Sequence, residues 1–239
     1  MRALLFALVI TSTTIASAGP CAIEPLAAHA MTVNGTVIPP GGGVLVALSG
    51  LISDWSQPSQ DLTKTAWKFR DGGKDAAPTV TILAPGLAVY EPPAGTTDIK
   101  LDDAKRTLVT IKRTATATPA LAAPTVKAIT HLHTMGGGPR AAIRDAVIVR
   151  ITSKRPASAV AMILFAGKSP ASWVSAFNFD NPTSAVEIYH SPGRCETAIP
   201  GMVETKPGSR VAVAWVDAAG RVGVRSAELT VVSVKPIGP

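Results

Sequence analysis

The chain has 239 residues, 46% of them hydrophobic, 5% aromatic and 16% charged, with Gly and Pro at 20 each and a formal net charge of +7. That apolar content excludes wholesale disorder, and prolines spread evenly along the chain exclude long helices, which leaves many short strands joined by turns. The basic residues form no cluster interleaved with aromatics, so nucleic acid is excluded as a partner.

Met1-Arg2 sets one positive charge ahead of an uninterrupted apolar run, Ala3 to Ile10, and a Thr/Ser-rich stretch ends in Ala16-Ser17-Ala18. This is the pattern of a signal peptide, and the apolar run is too short to span a bilayer. Residues 1–18 are therefore expected to be removed, giving a periplasmic or secreted chain from Gly19 that is not membrane-spanning. Pro20 beside Cys21 does not suit lipid attachment. In an oxidising compartment the two cysteines, Cys21 and Cys195, are expected to form one disulfide. By loop entropy it contributes about 4–5 kcal/mol at most, and it implies that the two halves of the chain lie close together.

Residues 19–113 read as a first β domain. Cys21 to His29 is a lead-in, Met31 to Ile38 is strand-like around an Asn34-Gly35 turn, and Val44 to Leu48 is a strand. Thr65 to Arg70 alternates, with Trp67 and Phe69 on one face. Thr79 to Leu83, Leu87 to Glu91, Asp98 to Leu101 and Thr107 to Lys112 follow as short strands between Gly/Pro or Asp-rich turns. Residues 114–125, reading TATATPALAAPT from Thr114 to Thr125, are small, uncharged and Pro-containing: a semi-rigid linker.

Residues 126–239 read as a second β domain. Val126 to Met135 is its first strand, and Ala146 to Thr152 alternates strongly. Ala159 to Ala166 is almost wholly apolar and central, Gly167 to Pro182 is a long loop, and Ala185 to His190 is a strand. Ser191 to Lys206 is the loop holding Cys195. From Arg210 to Val232 the chain predicts a closing hairpin: Val211, Val213 and Trp215 share one face, Asp217-Ala218-Ala219-Gly220 turns, and Val222 to Val231 returns.

Pro207-Gly208-Ser209, the alternating run and the Asp217-to-Gly220 turn together resemble the last two strands of bacterial fibronectin type III or immunoglobulin-like domains. Val211 stands where that family usually carries Tyr, and the run from Pro207 to Asp217 is shorter. The resemblance implies a small antiparallel sandwich, and about seven strands per half agree with it. The expected fold is all-β: two small antiparallel β-sandwich (Ig-like) domains in tandem.

Charge divides unevenly between the halves. Gly19 to Thr118 carries nine basic and nine acidic residues, whereas Pro119 onward carries thirteen basic and seven acidic, a surplus of +6. Outside the cytoplasm such a surface meets lipopolysaccharide, phospholipid headgroups or acidic polysaccharide, although solubility alone explains it more simply.

Among candidate sites, His131, His133 and Met135 alternate along one strand, so they share a face at steps of about 7 Å. Two imidazoles and a thioether suit copper, with His29 or His190 as a further ligand. A strand face turned to solvent or to a domain interface is the plainer reading, and no cofactor is otherwise expected. Asp71 and Asp75 flank a Gly-rich turn that lacks the further oxygens calcium needs. Trp173, Phe177 and Phe179 offer a recognition surface for carbohydrate or protein. No nucleophile elbow, zinc helix or phosphate loop is present: Gly167-Lys168-Ser169-Pro170-Ala171 lacks the second glycine of an elbow. The sequence thus favours an exported non-catalytic binding or scaffold protein of the bacterial envelope or extracellular space, not an enzyme. Its partners would be a protein or an anionic envelope surface or polysaccharide. A periplasmic copper-binding protein and a secreted hydrolase with an unrecognised site are the alternatives.

Overall fold

The computed structural model describes residues 27–49, 57–58, 61–93, 98–103, 106–135, 143–180, 185–189, 203 and 205–233. Among them there is no α-helix, and no helix is long and apolar enough to cross a membrane. The strands are β1 (Ala27–Ala30), β2 (Thr36–Ile38), β3 (Val44–Ser49), β4 (Gln57–Pro58), β5 (Lys68–Asp71), β6 (Lys74–Ala76), β7 (Thr79–Ala84), β8 (Leu87–Glu91), β9 (Asp98–Asp102) and β10 (Thr107–Arg113). They continue as β11 (Val126–Met135), β12 (Ile143–Ile151), β13 (Ala159–Ala166), β14 (Ser169–Ser175), β15 (Ala185–Tyr189), β16 (Arg210–Asp217), β17 (Leu229–Thr230) and β18 (Val232–Ser233).

Four sheets result, in the orders β4-β1-β3-β8-β7, β2-β10-β9-β5-β6, β15-β12-β11-β18 and β14-β13-β16-β17. The all-β sandwich class is as the sequence implied. Not every ladder is antiparallel: β2 runs parallel to β10 and β11 runs parallel to β18, so a strand from the start and one from the end of each half lie side by side.

Between the first two sheets lies a core of Val44, Val46, Trp67, Phe69, Tyr90, Ile99, Leu101 and Ile111, among others. Trp67 and Phe69 face inward as their alternation predicts. The Trp67 and Tyr90 rings sit 5.6 Å apart, and the Tyr90 hydroxyl donates to the Leu62 carbonyl, which satisfies its polar end inside an apolar layer. Between the last two sheets lies a second core built on Ile129, Val147, Val149, Met162, Leu164, Phe179, Val213 and Trp215.

A third core joins the two sandwiches. Leu45, Ala47, Leu87 and Val89, on the outer faces of β3 and β8, pack against Ala161, Ile163, Phe165, Ala214 and Val216 of β13 and β16. These four strands are therefore covered on both faces, which is why VLVAL, LAVY, AVAMILFA and VAVAWV read as nearly continuous apolar runs. Full burial of each large apolar side chain there contributes about 1.5–3 kcal/mol.

The turn after β16 pins this junction. Asp217 is buried; its Oδ1 accepts from the Ala219 and Arg221 amides at 3.0 and 2.9 Å, and its Oδ2 from Arg221 Nε and Nη2 at 2.9 and 2.6 Å. Two carbonyls of the turn are then taken by the first sandwich: Thr32 Oγ1 donates to Ala218 O at 2.7 Å and the Gly43 amide to Ala219 O at 2.8 Å. Ala219 itself joins the first core. Gly43 has to be glycine, because a Cβ there would lie 2.3 Å from the Tyr90 carbonyl oxygen.

The hairpin is only partly regular. Val216 bridges Val222, and the Ser226 amide bonds Val213 O at 2.8 Å, but regular pairing with β16 resumes only at Leu229 and Thr230, and the chain then crosses to the other sheet as β18. Residues 223–228 leave the expected strand because the preceding chain lies alongside: the Val224 amide donates to Leu121 O at 2.9 Å. A second departure is β14, which occupies Ser169–Ser175 where a loop is expected. Its Pro170 is accommodated at an irregularity of an outer strand, where a missing amide costs least.

Candidate functional site

A cleft of about 480 Å³ opens beside the segment between β12 and β13, lined by Lys154, Arg155, Pro156, Ala157 and Asp180. Local bonds shape it. The Thr152 amide donates to Thr125 O at 2.8 Å and Ser153 Oγ accepts from the Thr125 amide at 2.9 Å, which holds the end of β12. Pro156 then breaks the extended run, and its carbonyl accepts from the Ala159 amide at 2.9 Å to close a tight turn. Across from it, the 3-10 turn Ala176–Phe179 ends where the Asp180 amide bonds Phe177 O at 3.2 Å.

Arg155 ties the two walls together. Its Nε donates to Asp180 Oδ1 at 2.5 Å, its Nη1 to Ala159 O at 2.6 Å, and its guanidinium lies 4.7 Å from the centre of the Phe177 ring. The Arg155 side chain is 14% exposed, so this is a partly desolvated pair rather than a loose surface contact. Phe177 is 56% exposed and Lys154 is also exposed. The lining offers a fixed cation and an acidic acceptor, with no Ser, Cys or His among these five residues, and Phe177 stands beside it, stacked on Arg155. Such a set holds a ligand by contact and charge.

The three aromatics anticipated as one surface are not brought together. Phe179 is buried edge-on to Trp215, with ring centres 5.6 Å apart at 83°. Trp173 is half-buried on β14 and packs against the core shared by the two sandwiches. Phe177 alone of the three is exposed, because the 3-10 turn directs successive side chains to different sides. Lys154, Arg155 and Asp180 escape sequence reading: they are ordinary charged residues, and Asp180 lies far along the chain from the other two. A basic pair directly before a proline is the one trace they leave.

His131 is buried on the inner face of β11 that also carries Ile129, opposite Val147. Of His133 and Met135 only the backbone is described, in register with Asp145 and Ile143, and His190 lies outside the described residues. His29 is on β1, in a different sheet from β11. Among the described residues no three His, Cys, Asp or Glu side chains gather at a metal-binding spacing. Asp71 pairs with Lys74 across the two-residue turn between β5 and β6, and Asp75, paired with Arg70, accepts from Arg70 Nε at 3.0 Å. Cys21 and Cys195 both lie outside the described residues.

No protein-family model and no curated protein matches the sequence. Among solved structures the chain is similar to fibronectin(III)-like modules of CbhA from Clostridium thermocellum, with 8% identity and a TM-score of 0.26, covering 86% of this chain and 94% of that one. At that score the likeness carries no argument, and the sandwich architecture rests on the four sheets themselves.

Proposed function

We propose that this is an exported, non-catalytic binding or scaffold protein acting at the bacterial envelope or outside the cell. The observation that carries the reading is the junction of the two sandwiches. A shared apolar core and the Asp217–Gly220 turn hold one half against the other, so surfaces presented by each are displayed at a fixed separation. Fixed display serves a scaffold, whereas a loosely hinged pair would not. The signal-like N-terminus and the +6 surplus beyond Pro119 support the location and an anionic counterpart.

The test has two parts. The full chain is expressed in a Gram-negative host, and the exported product is weighed by mass spectrometry. Cleavage after Ala18 and recovery from the periplasm or medium are expected. The product is then co-sedimented with isolated cell envelopes over a salt series, where binding that weakens as salt rises is expected. Retention in the cytoplasm with Met1 intact, or no sedimentation at low salt, would overturn the proposal.

A further inference from the structure

The geometry points to a binding site for an acidic sugar, a uronate unit of an anionic polysaccharide, in the cleft between Lys154 and Asp180. The inference rests on the envelope-binding reading and names its ligand. Three features converge. The Phe177 ring stands just outside the cleft lining, more than half exposed and held beside it by Arg155 at 4.7 Å, where a sugar extending from the cleft would meet it. A ring fixed in this way provides a flat apolar plate with little ordering left to lose, which suits the C–H face of a pyranose. Lys154 is exposed at the rim and joins none of the ion pairs among the described residues, so its ammonium is available to a carboxylate. Asp180 gives Oδ1 to Arg155, and its side chain remains 55% exposed, so the carboxylate can accept sugar hydroxyls.

The mixed signs select the ligand. A phosphate ester, or a nucleic-acid backbone, would bring concentrated negative charge against Asp180. A uronate brings one negative charge for Lys154 and several hydroxyl donors for Asp180. A neutral sugar would satisfy the plate and the acceptor but leave the cation unused. The cleft volume of about 480 Å³ accommodates a monosaccharide unit with its neighbours running out into solvent.

The probe is a short oligogalacturonate, titrated calorimetrically into the exported chain, with the fully methyl-esterified oligomer as the uncharged comparison. Binding is expected for the acid form, with about tenfold or greater loss on esterification. Lys154→Glu and Phe177→Ala are each expected to weaken the acid form about tenfold. Both positions are exposed, and unchanged thermal melts establish that the variants fold. No heat from the acid form, or equal affinity in wild type and both variants, overturns the site. Envelope co-sedimentation of the same variants separates the two readings. If wild type and variants sediment alike, the cleft assignment is wrong and the envelope reading stands; if none sediments, the envelope reading is wrong as well.

Discussion

His29 lies on the face of β1 opposite Ala28, which belongs to the first core, and so turns toward the side on which the second sandwich packs. Burial lowers its pKa from 6.5, opposed in part by backbone hydrogen bonding at Ala27. A depressed histidine is neutral when folded, so the unfolded chain takes up the proton first. Stability from this group is whole above the unfolded pKa and declines as pH falls below it, until the folded pKa is reached. Urea midpoints are expected to fall between about pH 7.5 and about pH 5, and His29→Asn is expected to flatten that part of the profile. An identical slope in the variant would assign the effect to other groups. Asp217 shows a different economy at the same scale. Four donors converge on one buried carboxylate, so its desolvation is offset within the turn.

At the scale of elements, the turn from Asp217 to Gly220 separates what patterning shows from what it hides. Asp followed by Gly three residues later marks a turn, and Gly220 does adopt a φ of +75°. Nothing in those residues says that the turn ends inside a neighbouring module, because docking depends on Thr32, Gly43 and Val89 from a remote stretch. Gly220→Ala would set a Cβ 2.2 Å from Val89 Cγ2. Gly208, at φ +87°, has open space around it. Gly208→Ala is therefore expected to cost about 1–2 kcal/mol from backbone strain alone, and Gly220→Ala about 1–3 kcal/mol more from overlap, measured as shifts of the urea midpoint. Equal losses would mean that the turn does not press on Val89. The same division holds elsewhere. Strict alternation in Val147, Val149 and Ile151 located β12, while Ser, Asn and Pro in 169–181 masked β14. The cleft left only the basic pair Lys154-Arg155 before Pro156 in the sequence, since Asp180 is brought to them by tertiary contact.

At the scale of the molecule, sheets one residue-layer apart share apolar cover, so the halves are expected to unfold in a single transition. Ile163→Asp puts a carboxylate between them. Burying that charge unpaired is costly, and the cheaper response is for the halves to part. Scanning calorimetry is expected to show one endotherm for the wild type and two for the variant, with increased dye binding as Phe165 and Val216 become wet. Two endotherms in the wild type would show that the halves melt independently.

Arg221 carries a consequence for how the chain survives damage. Its Nη1 donates to Thr118 O at 2.8 Å, and the Leu121 carbonyl is held by Val224, although residues 115–120 are exposed. A protease meeting this strap has soluble, accessible peptide bonds to cut. Yet the fragments on either side of a nick are clamped by contacts that do not run through the severed bond. The cut protein should travel as one particle on a sizing column and come apart only in denaturant, so that continuity of the backbone here matters to assembly more than to the finished molecule.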